Sequence, residues 1–357
     1  MSLRLSEAPP IRRQHFLALD GLRGVAALLV MAYHISLANG YRQIAPLGFL
    51  AVDLFFLLSG FVIAKSYEQR FEAGLGVGRF MLIRLLRLYP LIFLGLLLGA
   101  IWSLIVGDGS FNALSAINFL ILPVFFARTI FPFDGPVWSL LFEIFANLAH
   151  VTILRRLGTI ALLLVALSSG ALLMTAMIHF SSASLGSDPN TFIAGFARVG
   201  FSYVTGIILY RRIRSRKVSE WRVPLIVPIA LLIGVLHGLP ASFWAIERAA
   251  GIIFIMFPAI LVISIHQRPT GRWATAMTWL GRLSFPLYAI HLPVVIFAAP
   301  LIADQPQATR LPLWILFVFL IVAAALTLEQ RVDLPLRRWL EGRLSKRDFV
   351  SPQATSV

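Results

Sequence analysis

Apolar runs of membrane-spanning length recur along nearly the whole chain, with short polar connections between them. A bilayer's hydrocarbon core is about 30 Å thick, and a helix needs about 20 residues to cross it. Ten segments come near that length: Phe16 to Asn39, Leu47 to Ala64, Phe80 to Val106, Pro136 to Leu154, Thr159 to Phe180, Thr191 to Tyr210, Val223 to Leu239, Ile246 to His266, Met277 to Ala299 and Leu311 to Gln330. A further stretch, Ala113 to Ala127, is short and reads as re-entrant or interfacial. Unbroken apolar runs are foreign to β-barrels, whose strands alternate. The pattern predicts an all-α fold, a polytopic membrane helical bundle of about ten transmembrane helices.

Composition agrees, with 59% hydrophobic and 13% charged residues and a mean hydropathy of +0.85. No cysteine is present, so disulfides, thiolate nucleophiles and cysteine metal sites are excluded. The net charge of +15 would suit a nucleic-acid partner, but the basic residues sit in the short loops, which is the signature of membrane topology. With the N-terminus inside, one face collects Arg12 and Arg13, the Lys65 to Arg87 region, Arg155 and Arg156, the cluster from Arg211, Arg268 with Arg272, and the tail from Arg331. The other face receives only Arg42, Arg128 and Arg310. This asymmetry predicts both termini in the cytoplasm. It also tells against a crossing by Ala113 to Ala127, which would invert every later basic loop. The chain then divides into a cytoplasmic segment 1–15, a transmembrane domain 16–331 and a cytoplasmic tail 332–357. The first apolar run has no small-residue cleavage site after it and reads as retained.

The first run carries three groups that lipid penalises: Asp20, Arg23 and His34. Ionisable residues in a span face a cavity or a partner and mark function by default. Asp20 and Arg23 are three apart, and Arg23 and His34 are eleven apart, close to three turns, so all three share one face. At about 1.5 Å per residue the last two lie about 16 Å apart along the axis.

Four other stretches carry candidate chemistry. Arg84 and Arg87, three apart at the start of the third run, suit phosphate oxygens, or else serve as ordinary positive-inside anchors. Asp53 lies at an apolar span entry, where it pairs with a cation or caps the helix; Gly48 and Gly60 allow close helix approach. Ser139, Glu143 and Asn147 succeed one another at four-residue spacing, and Glu143 is suited to exchanging protons or to holding an Arg or His, with Arg23 and Arg198 the candidate partners. Ser284, Tyr288 and His291 form a further stripe, with His291 about 15 Å inward of Gly281 and near His34 in depth. No metal-ligand spacing is evident.

These residues, in this order, resemble the acyltransferase 3 family of integral membrane O-acyltransferases. The resemblance rests on LDGLRGVAALLVMAYH (Leu19 to His34), GFLAVDLFFLLSGFVI, RLLR (Arg84 to Arg87), WSLLFE (Trp138 to Glu143) and YAIHLP (Tyr288 to Pro293), and runs over essentially the whole chain. Ala146 and Leu292 stand where the family commonly has aromatics. The resemblance implies transfer of an acyl group, commonly acetyl, from cytoplasmic acyl-CoA to a hydroxyl of an extracytoplasmic carbohydrate or glycolipid. Acyl-CoA is then a donor substrate, with no bound cofactor, and the protein is placed in a bacterial inner membrane. His34 and Arg23 are implied to be essential, and Arg84 and Arg87 to bind the donor. Imidazole is suited to take a hydroxyl proton near neutral pH, so His34 is expected to act as base, with Glu143 or Asp20 orienting it or holding Arg23. Asp20, Asp53, Ser139, Tyr288 and His291 are expected as supporting or acceptor-side residues. Direct transfer and an acyl-imidazole both fit. Two other readings use the same residues: a multi-span transporter of a small anion, and a transferase with a donor other than CoA.

Overall fold

In lipid every backbone N–H and C=O must be bonded within the protein, so apolar runs fold as helices. A computed structural model describes residues 16–40, 44–107, 109–214, 223–237, 245–336 and 338–339. The predicted segment 1–15, Arg42, the later part of the basic cluster from Arg211, Leu239 and most of the predicted tail lie outside the described residues. The regular elements among the described residues are helices, with no strand: α1 (Leu17–Ala38), α2 (Ala51–Glu72), α3 (Val77–Val106), α4 (Val137–Thr152), α5 (Thr159–His179), α6 (Phe192–Arg214), α7 (Ile226–His237), α8 (Ala245–Gly251), α9 (Phe257–Ile265), α10 (Gly271–Ala303) and α11 (Gln307–Leu328). A π turn at Ile252–Met256 joins α8 and α9 into one continuous helix.

Eight of these stretches are long and apolar enough to cross a membrane, while α4 has 16 residues and α7 has 12 among the described residues. α4 begins only after Pro136 and gives way to a 3₁₀ turn at Leu154–Arg156, so it covers about 24 Å, short of a full hydrocarbon core. The stretch Ala113 to Ala127 forms only a 3₁₀ turn, Ser115–Leu120, which is far too short to cross. Asn118 pins that turn by donating to the carbonyls of Leu122 and Ile130.

Side-chain contacts give the direction of each helix. α1 and α2 are antiparallel, with Phe16 against Phe61 and Tyr33 against Phe49. α2, α4 and α6 run together, because Ser59 meets Glu143, Asp53 meets Arg198 and Glu68 meets Arg211. Short as it is, α4 therefore carries the chain back toward the face from which α3 departed. α1 and α10 are parallel, with Gly24 against Leu280 and His34 against His291.

Most of the described basic residues of the loops gather at one face, as their distribution in the sequence predicts. There Lys65 and Arg268 lie over the Phe16 ring, Arg155 lies over Phe71, Arg211 and Arg214 pair with Glu68, and Arg282 pairs with Glu329. Apolar side chains such as Ile160, Leu164 and Leu167 on α5 and Phe319 and Leu320 on α11 point outward, as lipid-facing positions should.

Several crossings bring backbone against backbone, among them α1 on α10 and α2 on α6. A Cβ at Gly24 would overlap the main chain of Leu280, and one at Gly60 would overlap the carbonyl of Tyr203. Small residues of this kind let helices associate where lipid supplies no hydrophobic drive between them. The first crossing sets the register of α1 on α10; the second sets α2 on α6.

The α2–α6 contact also holds a buried ion pair. Arg198 donates through Nε (3.2 Å) and Nη2 (2.5 Å) to the two carboxylate oxygens of Asp53, and through Nη1 to the Leu185 carbonyl (2.8 Å). Both side chains are essentially inaccessible. Removing one partner strands a buried charge, at about 3–5 kcal/mol, whereas removing both with apolar replacements costs much less. Asp53→Leu should therefore lower the thermal midpoint of the detergent-solubilised protein sharply, and the double variant with Arg198→Leu should recover much of the loss. Equal midpoints for Asp53→Leu and the parent would contradict this role.

Candidate active site

α1, α2, α3, α4 and α10 enclose a cavity of about 100 Å³ whose polar wall holds Arg23, Ser59, Arg84, Arg87, Ser139, Glu143, Ser284 and Tyr288. Phe55, Phe56, Val62 and Ile63 of α2 form much of its apolar wall. A slender, mostly apolar chain bearing a polar end suits such a lining better than a bulky nucleotide.

Most of these polar groups are held by a neighbour on a different helix. Arg84 donates through Nη2 to Glu143 at 2.7 Å, and Ser59 donates to the same carboxylate oxygen at 2.8 Å. Glu143 thus takes Arg84 as its partner, not Arg23 or Arg198. Arg84 is buried, and its Nε has no hydrogen-bond partner among the described residues. Arg23 donates to Ser284 Oγ at 3.0 Å and to the Gly281 carbonyl at 3.4 Å, with Asp20 3.5 Å from its Nη2. Ser139 donates to the Pro136 carbonyl (2.9 Å), which leaves its oxygen to accept from Tyr288 at 2.7 Å.

Beyond Tyr288 lie the two histidines. Phe55 meets the Tyr288 ring edge-on at 5.3 Å between centroids, and both line the cavity. The Tyr288 and His291 rings are 5.6 Å apart, and His291 reaches His34 with 3.0 Å between nitrogens. His34 does not line the cavity; it stands one layer further along, reached past Tyr288 and His291.

Of the residues singled out from sequence, Arg23, Arg84, Arg87, Ser139, Glu143 and Tyr288 share the cavity wall, with His34 and His291 adjoining and Asp20 supporting Arg23. Asp53 is held apart in its pair with Arg198. Asn147, on the Ser139–Glu143 face, accepts instead from Tyr203, whose hydroxyl also lies 3.1 Å from His150 Nδ1. Sequence reasoning left out Ser59 and the aromatic wall of α2. Phe55, Ser59 and Val62 are spaced by four and three, a helical face that could have flagged them. A second cavity, of about 560 Å³, opens on the basic face among Arg155, Arg156, Arg211, Arg214, Glu68 and Phe71.

Comparison with known proteins bears on what this arrangement does. Residues 16–329 match the Acyl_transf_3 family, described as an acyltransferase domain. "Protein 2 in picA locus" of Rhizobium radiobacter is 32% identical over 196 residues, covering 49% of this chain and all of that protein. Peptidoglycan O-acetyltransferase OatA of Listeria monocytogenes is 22% identical over 360 residues, 91% of this chain but 56% of that protein. Acyltransferase MdmB of Streptomyces mycarofaciens is 24% identical over 320 residues, 81% of each. No solved structure matches the chain significantly. With the family match running from the first turn of α1 to the end of α11, the chain belongs to the acyltransferase 3 family and is a multi-pass membrane O-acyltransferase.

Proposed function

We propose that the protein moves an acyl group, acetyl in the simplest case, from acyl-CoA on the basic, cytoplasmic face to a hydroxyl of an extracytoplasmic carbohydrate or glycoconjugate. The observation that carries this reading is Arg84: a buried guanidinium in the cavity wall, held by Glu143, with an N–H that has no acceptor among the described residues. A buried donor left unpaired is costly, and a carbonyl or phosphate oxygen of an entering donor would satisfy it. Arg23 and Arg87 in the same wall supply further positive charge against the one carboxylate of Glu143. The bilayer position expected from the positive-inside rule puts this wall toward the cytoplasm and the histidines toward the far side. The names of the relatives, a peptidoglycan O-acetyltransferase among them, support a carbohydrate acceptor.

In this reading His34 takes the proton of the acceptor hydroxyl as its oxygen attacks the thioester carbon. A C–O bond forms, the C–S bond breaks, and the proton passes from His34 to the departing thiolate, so ester and free CoA thiol leave. Glu143 holds Arg84 in place, and Ser139 with Tyr288 shapes the passage between cavity and histidines.

Radiolabelled acetyl transfer from acetyl-CoA into cell-envelope carbohydrate tests the assignment. His34→Ala, at matched membrane expression, should lose about a hundredfold or more of the rate. Equal labelling by parent and variant would remove His34 as the base. No labelling by the parent would redirect the reading to another donor.

The arginines make a separate prediction. A hydrogen bond to a charged group contributes about 1.5–3 kcal/mol, so Arg87→Ala should raise the acetyl-CoA KM by roughly tenfold to a hundredfold with a smaller change in kcat. An unchanged KM would assign Arg87 to membrane anchoring alone.

A further inference from the structure

Hydrogen-bond directions around the histidine pair fix which nitrogen of His34 is basic. His34 Nδ1 lies 3.0 Å from the Val30 carbonyl, and His291 Nδ1 lies 2.8 Å from the Tyr288 carbonyl. A carbonyl oxygen can only accept, so both Nδ1 atoms carry hydrogen. His291 is fully buried, and no salt bridge reaches it among the described residues. Burying an unpaired charge is costly, so the ring is neutral and its Nε2 holds a lone pair. That Nε2 lies 3.0 Å from His34 Nδ1, whose single hydrogen is therefore shared between the Val30 carbonyl and His291. The opposite arrangement, with hydrogen on both facing nitrogens, would set two donors against each other.

One consequence follows for His34. In the neutral ring its Nε2 carries the lone pair; that atom has no partner among the described residues and is not one of the buried atoms left unsatisfied. We infer that His291 is a positioning residue for catalysis: it holds His34 in the Nδ1–H tautomer with Nε2 free to act as base. When Nε2 takes the hydroxyl proton, His291 Nε2 continues to accept from Nδ1–H of the resulting imidazolium. The geometry repeats the logic of a base oriented from its far nitrogen, with a neutral imidazole where hydrolase triads place a carboxylate. The parallel packing of α1 on α10, seated at Gly24, is what brings the two rings to one depth.

This inference rests on His34 being the base, and the test separates the two claims. His291→Phe removes the acceptor, whereas His291→Gln places an amide oxygen near the position of Nε2. With thermal midpoints shown to match the parent, His291→Phe should lower kcat by about a hundredfold, the lower end of general-base contributions, with the acetyl-CoA KM within about twofold; His291→Gln should recover at least about tenfold of that loss. Equal impairment in both variants, or none in either, overturns the inference while leaving the His34→Ala result intact. An independent reading comes from nitrogen NMR of ¹⁵N-histidine-labelled protein, with His34 assigned by its disappearance in His34→Ala. The parent should show a protonated Nδ1 and an unprotonated Nε2 at His34. A protonated Nε2 there overturns the inference whatever the activity of the variants.

Discussion

A charged side chain in a bilayer needs a partner or water, and the interior of this protein is arranged around meeting that need. Asp53 holds Arg198, Glu143 holds Arg84, Glu68 holds Arg211 and Arg214, and Glu329 holds Arg282. Each of these pairs joins two different helices, so the ionic contacts also fix how the spans sit against one another. Arg84, held in this way, and Arg23, held by Ser284 and Asp20, point polar groups into a cavity otherwise walled by Phe55, Phe56, Val62 and Ile63. The glycine crossings at Gly24 and Gly60 let the backbones come close enough for such short contacts.

Much of this was legible in the chain. The number and order of apolar segments, the sorting of basic loops to one face and the short, non-crossing stretch after α3 all follow from hydropathy and charge, because lipid imposes those constraints segment by segment. Depth was legible too. Counting residues from Gly281 placed His291 near His34 before any contact between them was in view, since rise per residue is a property of any helix. The shortness of α4 was not visible, because the turn after Thr152 ends it through local backbone geometry, which apolar composition does not report.

Partner choice was the least legible part. Periodicity shows which side of a helix is polar but not which neighbour it meets, so Glu143 could be given Arg23 or Arg198 and in fact takes Arg84 and Ser59. Asp53 likewise needed a cation, and only the α2–α6 packing names Arg198. The cavity itself is a gap between five helices, and its apolar wall has no chemistry that would single it out from ordinary core. For the same reason the place of His34 outside the cavity wall could not be seen from the Arg23–His34 spacing alone.

The proposed reaction is vectorial, with donor entering from the arginine-rich face and acceptor meeting the acyl group at the histidine side. The most direct measurement uses proteoliposomes in which the protein's orientation has been determined by protease protection, with acetyl-CoA supplied on one side and a soluble oligosaccharide acceptor on the other. The account predicts acetylated acceptor only when acetyl-CoA bathes the arginine-rich face and the acceptor the opposite one. Product formed with both substrates confined to the same side, or equally from either side, would contradict it.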